Sequence, residues 1–229
     1  MRMFLFPLAA AALLAPLAVA DDESKFADRL EDSRALLSEV MSAPDKSIPQ
    51  DLLNKASCIV LVPGLKKGAF LVGAKYGRGF AVCRGADGLG WGPPAAVAIE
   101  GGSFGLQIGV SSSDVILLVM NERGMRRMTE NKFTIGADAT AAAGPVGRNA
   151  TAQTDATMTA EILSWSRSRG AFIGASLDGA SLRSDMDQNE AMYGKRWSNK
   201  EILNSGAPPP NAARGLLDLL TKYSMRKTG

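Results

Sequence analysis

The sequence predicts an α+β domain: a curled antiparallel β-sheet, or small barrel-like sheet, flanked by N-terminal and C-terminal helices. Three observations carry that prediction. Between Cys58 and Leu177, short β-rich runs alternate with Gly, Pro, Asp and Ser. Glycines stand inside those runs at Gly73, Gly105 and Gly109, where a sheet bends sharply or two backbones approach closely. On either side, apolar residues recur at helical spacing.

The N-terminus comes first. Arg2 precedes an apolar run from Met3 to Ala15, Pro16 breaks it, and Ala18, Val19 and Ala20 form a small-x-small cleavage pattern followed by Asp21, Asp22 and Glu23. Residues 1–20 are therefore expected to be a signal peptide, and residues 21–229 the mature, periplasmic or secreted domain. A retained membrane anchor is the other reading; the run is shorter than the roughly 20 residues a spanning helix needs, and Pro7 and Pro16 interrupt it. No Cys at the cleavage site supports a lipoprotein.

Residues 22–42 place Phe26, Leu30, Leu37, Val40 and Met41 on one helical face. Pro44 ends that helix, and Pro49 opens a short second one carrying Leu52, Leu53 and Ala56. Strands are expected at 58–62, 69–76, 79–84, 95–100, 104–111 and 115–120. Turns are expected at Tyr76–Gly79 and Ala86–Gly88, where glycine supplies positive φ. A basic helix at 122–130, a strand at 132–136 and a hairpin of 161–166 with 171–177 follow. Ser198 and Glu201 have capping-box spacing, and Pro208–Pro210 lead into a helix bearing Leu216, Leu217 and Leu220.

Composition narrows the chemistry. Removing residues 1–20 leaves 25 basic and 23 acidic side chains, a net of +2, which is not the strongly basic balance of a nucleic-acid binder. Histidine is absent, which removes the commonest general base and metal ligand and every Ser/His or Cys/His nucleophile. The remaining candidates for an enzyme are Asp114, Asp138, Asp155 and Glu161, and nothing pairs them at a recognisable spacing. Asp185, Asp187 and Glu190 lack the glycine and closing Glu of a Ca²⁺ loop and are read as a helix start. No catalytic residue, metal or cofactor is assigned. Cys58 and Cys83 are the only cysteines; they form a disulfide if their strands are neighbours, or stay buried thiols if not.

A wider pattern joins these elements. Ile48, Pro49, Leu52, Leu53 and Ala56; Lys67, Gly68, Ala69 and Phe70 through Gly79; Asp87, Gly88 and Trp91; Gly101 to Phe104 with Gln107, Ile108 and Gly109; Ser113 and Asp114; Phe133 to Gly136; Gly144 to Asn149; and Ser168, Arg169, Gly170, Phe172, Gly174, Ser176, Leu177 and Gly179 together resemble the SYLF domain. The resemblance spans residues 25–221, essentially the whole mature chain. It implies a non-enzymatic lipid-binding module. Eukaryotic members bind phosphoinositides and some bundle actin, whereas bacterial relatives are exported single domains. For an exported bacterial protein actin is not the expected partner, and what transfers is affinity for anionic phospholipid, through headgroup or acyl chain.

Two basic sets are the candidate contacts. Residues 64–84 contain Lys66, Lys67, Lys75, Arg78 and Arg84 and no acidic residue, a surface that suits an anionic headgroup at about 1 kcal/mol per cation; the alternative is an ordinary solvated face. Arg148, Arg167 and Arg169 lie beside glycines, with Gly147 in the first loop, as in loops that recognise phosphate through main-chain N–H groups; the alternative is a loop tied down for structural reasons. The helix at 22–42 is mixed in charge on its polar face, which suits packing on the sheet better than an interfacial role. A structural or protein-interaction domain holding no lipid is the second functional reading.

Overall fold

The computed structural model describes residues 16–43, 47–70, 72–85, 88–104, 109–130, 132–147, 159–168, 171–174 and 177–224. The expected α+β architecture is present. Strands β1 (Cys58–Phe70), β2 (Val72–Cys83), β3 (Ala95–Phe104), β4 (Gly109–Val119), β5 (Lys132–Thr134), β6 (Ala141–Ala143), β7 (Ile162–Ser168), β8 (Ala171–Gly174) and β9 (Ser181–Ser184) form one curled sheet. The order is β5-β9-β3-β2-β1-β4-β7-β6, with β8 also paired to β7. The sheet is antiparallel except at one place, where β6 runs parallel to β7.

The helices are α1 (Pro16–Ser42), α2 (Gln50–Lys55), α3 (Glu122–Met128), α4 (Met186–Tyr193), α5 (Asn199–Asn204) and, after a 3₁₀ turn at Asn211–Ala213, α6 (Arg214–Tyr223). Their ends follow the sequence. Asn121 caps α3 through Gly124 N, Asp185 caps α4, and Ser198 with Glu201 closes the expected capping box on α5. Helix α1 starts ahead of the expected cleavage position, yet its described core residues, Phe26, Leu30, Leu36, Leu37 and Val40, all lie beyond it.

Toward the Cys58–Cys83 end both faces of the sheet are buried. On the outer face Ile59, Leu61, Phe80, Val82, Ile116, Leu118 and Trp165 pack under α1, α2 and α6. On the concave face Cys58, Val60, Val62, Val97, Ile99, Val115, Leu117 and Leu182 meet Phe133, Ile135 and Met128. Fully burying one such side chain contributes roughly 1.5–3 kcal/mol, so the helices and the curl act together to close two cores. Strand alternation assigns the faces, and one irregularity resets it. Between Leu61 and Lys66 the register against β2 shifts by one residue, with the matching shift against β4 between Val62 and Leu65. Gly64 at φ +65° occupies this bulge, its N–H donating to Asp114 Oδ1 at 2.9 Å.

The bulge accounts for a correction. Tyr76, Gly77, Arg78 and Gly79 are not a turn but the middle of β2; the expected strand 69–76 is divided, Ala69 and Phe70 ending β1 while Val72 onward runs on with the expected 79–84 as β2. A Cβ on Gly79 would stand 1.9 Å from Leu61 O, and one on Gly77 would stand 2.7 Å from Leu65 Cδ1. These glycines let β2 press against the bulged strand, a use that sequence alone does not separate from a turn. Of the expected strand 104–111, Phe104 ends β3, residues 105–108 lie outside the described residues, and 109–111 join most of the expected 115–120 in β4.

Cys58 and Cys83 face each other across β1 and β2 and form a disulfide, so the free-thiol reading falls.

Candidate functional site

Register places the basic residues of β1 and β2 rung by rung. Lys67 and Lys75 are direct cross-strand partners, flanked on the same rung by Ser111 of β4 and Gly101 of β3. They continue the concave side on which Leu65 is buried. Lys66 pairs with Tyr76 on the opposite, outer side, and Arg78 follows Tyr76 there. The four cations therefore form two separate groups.

Arg78 is already engaged. Its Nε lies 3.0 Å from Asp185 Oδ2 and 2.9 Å from the Tyr76 hydroxyl. Burial opposes its charge, but Asp185 and then Tyr76 outweigh that and hold its pKa above the ordinary arginine value. Asp185 is only 5% exposed. The ion pair fixes α4 to the sheet and leaves little free charge for a ligand.

Lys67 and Lys75 are in the opposite condition. Neither makes an ion pair with a described residue. Burial, and then the adjacent Lys67 charge, lower the pKa of Lys75, with Asp178 opposing in part. Two like charges set side by side on a partly desolvated surface favour a bound anion. One rung deeper, opposite Leu65, Ser113 is 7% exposed and its hydroxyl has no hydrogen-bond partner among the described residues. A buried, unsatisfied hydroxyl is costly, by roughly 1–3 kcal/mol, and an acceptor oxygen beside the lysines would satisfy it. The sequence reading missed Ser111 and Ser113. The run Ser111–Ser113 opposite Leu65–Lys67 was the available signal, but reading it needs the β1–β4 register.

The second basic set resolves differently. Arg167 donates to Asp114 Oδ2 from Nε at 2.8 Å and from Nη2 at 2.6 Å, and its Nη1 also contacts Glu39 of α1. It clamps α1 to β4 and β7. Gly147 has φ +105°, and its N–H donates to Ser47 O at 3.0 Å, so that donor is occupied. Gly144 lies against the buried Trp165 ring, where a Cβ would come within 2.1 Å, and Trp165 Nε1 donates to Pro145 O. The described part of this loop is thus built around Trp165. Arg148, Arg169 and Gly170 lie outside the described residues.

The carboxylates weighed for catalysis also have structural partners. Asp114 holds Gly64 N and Arg167, Asp138 accepts from Thr134 N, and Glu161 accepts from Thr140 N and pairs with Arg123. Asp155 lies outside the described residues. Asp187 and Glu190 pair with Arg196.

A cleft of about 790 Å³ opens at the other end of the sheet, lined by Cys83, Arg84, Trp91, Met125, Leu203 and Pro208 among others. Its cation is turned inward. Arg84 donates to Leu89 O, Ser224 O, Leu53 O and Ser224 Oγ and stacks on Trp91 at 3.9 Å. Arg84 therefore ties the end of α6 to the sheet instead of offering its charge to the cleft, while the basic rung is an open surface.

The chain thus presents a curled sheet closed by helices on one side, with a cationic rung left open at one end. Residues 100–223 match the family model Ysc84, described as "Las17-binding protein actin regulator". The chain is 32% identical over 184 residues to the SH3 domain-containing YSC84-like protein 1 of Homo sapiens, covering 80% of this chain and 53% of the relative. Protein YSC84 of Saccharomyces cerevisiae is 31% identical over 187 residues, covering 80% and 40%, and LAS seventeen-binding protein 3 of the same species is 30% identical over 201 residues, covering 86% and 43%. The chain belongs to the Ysc84 (SYLF) family, as its sequence pattern implies. It spans about half the length of these relatives, whose names are those of binding and regulatory proteins. The family match takes in Ser111 and Ser113 and begins after Lys67 and Lys75.

Proposed function

We propose that this chain is an exported, non-catalytic domain that binds anionic phospholipid in a bacterial envelope, with the headgroup phosphate held by Lys67, Lys75 and the Ser113 hydroxyl. The carrying observation is the cross-strand lysine pair, which has no described ion-pair partner and lies one rung from an unsatisfied hydroxyl. Export is supported by the expected signal peptide and by the Cys58–Cys83 disulfide, since disulfides persist in oxidising compartments.

The test is co-sedimentation with vesicles of phosphatidylglycerol in phosphatidylcholine, compared with phosphatidylcholine alone. Binding should require the anionic lipid, weaken with salt, and fall at least tenfold in Lys67→Ser/Lys75→Ser. A double variant that binds as tightly as the parent would remove the rung from the site. A well-folded protein indifferent to every vesicle would favour the second reading, a protein partner, which the names of the relatives also suggest.

A further inference from the structure

Beyond the lysine rung the sheet continues, and what it carries there changes character. Residues 68–74 and 101–113 contain no charged side chain. On the outer face the rung next to Lys66 and Tyr76 consists of Val110, Gly68, Ala74 and Gly102, all exposed, with Val110 at 88%. The terminal rung sets Phe70, Val72 and Phe104 in register. Cations stand immediately behind, Lys66 on the outer side and Lys67 and Lys75 on the concave side. The one carboxylate on the Lys66–Tyr76 rung, Glu100, is paired with Arg183 at 3.1 Å and Lys132 at 3.9 Å.

From the structure we infer that the end of the β1–β2 hairpin, with the adjoining ends of β3 and β4, inserts into the bilayer as an apolar wedge behind a basic collar. This deepens the phospholipid reading and rests on it. Phe70 and Val72 stand three positions beyond the Lys67–Lys75 rung, about 10 Å of extended chain, which matches the roughly 5–10 Å to which interfacial elements sink. The collar then meets phosphates, and Tyr76, 43% exposed, stands at the level where amphipathic aromatic rings settle. Glycine and alanine at three of the four positions of the Val110 rung keep the wedge thin, and the inner strands β1 and β2 are paired on both edges there, by each other and by β4 and β3, so neither of those two needs water. An exposed valine at an uncharged sheet end is a liability in solution; ringed by lysines, that end has a use at an anionic surface.

The decisive experiment places a reporter on the wedge. Val110→Trp is studied with phosphatidylglycerol–phosphatidylcholine vesicles carrying a nitroxide high on the acyl chain. Native Trp165 is buried, Trp91 lies against Arg84 and Trp197 lies beside Tyr193 and Lys195, so the parent protein supplies the baseline. Vesicle-bound Val110→Trp should blue-shift and lose at least half of its added emission to the nitroxide, and Val110→Asp should cut affinity roughly tenfold at a salt concentration where lysine attraction is screened. Co-sedimentation of Val110→Trp without quenching would overturn insertion and leave headgroup binding standing. Failure of the parent protein to co-sediment, with its fold confirmed by circular dichroism, would overturn both.

Discussion

The two ends of the sheet are built from the same strands and solved in opposite ways. At the end near Cys58 and Cys83, β1 and β2 are cross-linked, helices cover the outer face, and hydrogen bonds join Arg84 and Trp91 to Ser224. Charge there is matched to carbonyls and hydroxyls of the chain itself. At the end near Lys67 and Lys75, the helices stop, small residues leave the outer face bare, and like charges stand together. The difference teaches where to look for a partner. The residues that complete each other's bonding at the first end hold the fold, and those left incomplete at the second are the ones a ligand would complete.

Substitutions can sharpen that contrast. The largest effect is expected from Gly79→Ala and Gly144→Ala. Each new methyl would overlap a group that cannot retreat, the Leu61 carbonyl in one case and the buried Trp165 ring in the other. Losses of several kcal/mol are expected, on the order of those from overpacked cores or more, read as a collapse of the urea midpoint. An unchanged midpoint in either variant would contradict the close approach. Reducing the Cys58–Cys83 bond comes next. It releases a loop of 25 residues, for which chain entropy gives about 3 kcal/mol, and the comparison is thermal melting with and without reductant.

Smaller effects probe the boundary between the two ends. Arg78→Ser strands the buried Asp185 carboxylate and should cost roughly 1–3 kcal/mol while leaving vesicle affinity per folded molecule unchanged. Replacing Lys67 and Lys75 should do the reverse, shifting stability by less than about 0.5 kcal/mol and removing vesicle binding. Lys75 adds a pH signature. Its folded pKa lies below the ordinary lysine value, so the folded state disfavours the charge. Stability should therefore rise as pH climbs from that folded pKa toward the unfolded one, and anion binding should fade over the same window, before ordinary lysines lose their protons. Binding that persists unchanged to the end of the lysine range would show that Lys75 takes no part.

Much of this was legible in the sequence because it is written locally. The capping box at Ser198 and Glu201, the apolar stripe of α1 and the strand runs of the core each declare themselves within a few residues. Glycine was the ambiguous letter. Gly77 and Gly79 carry the same signature as a turn, and only the neighbouring strand shows that they are there to admit a backbone. The candidate site was legible in part for a related reason. Lys66, Lys67, Lys75 and Arg78 are neighbours in sequence, but whether they are neighbours on a surface depends on side-chain alternation, and alternation depends on a bulge recognisable only from pairing. Arg167 could not be assigned either, since its carboxylate partners, Asp114 and Glu39, come from distant segments.

That bulge has the character of a reading frame. Upstream of Gly64 the even-numbered residues of β1 are concave; downstream the odd-numbered ones are. One inserted residue thus decides which of two adjacent lysines stands beside Lys75. Pairing β1 without the bulge, every residue kept, would remove no charge from the chain, yet it would translate the same letters into a different surface, setting Lys66 in place of Lys67 opposite Lys75 and turning Leu65 out of the core.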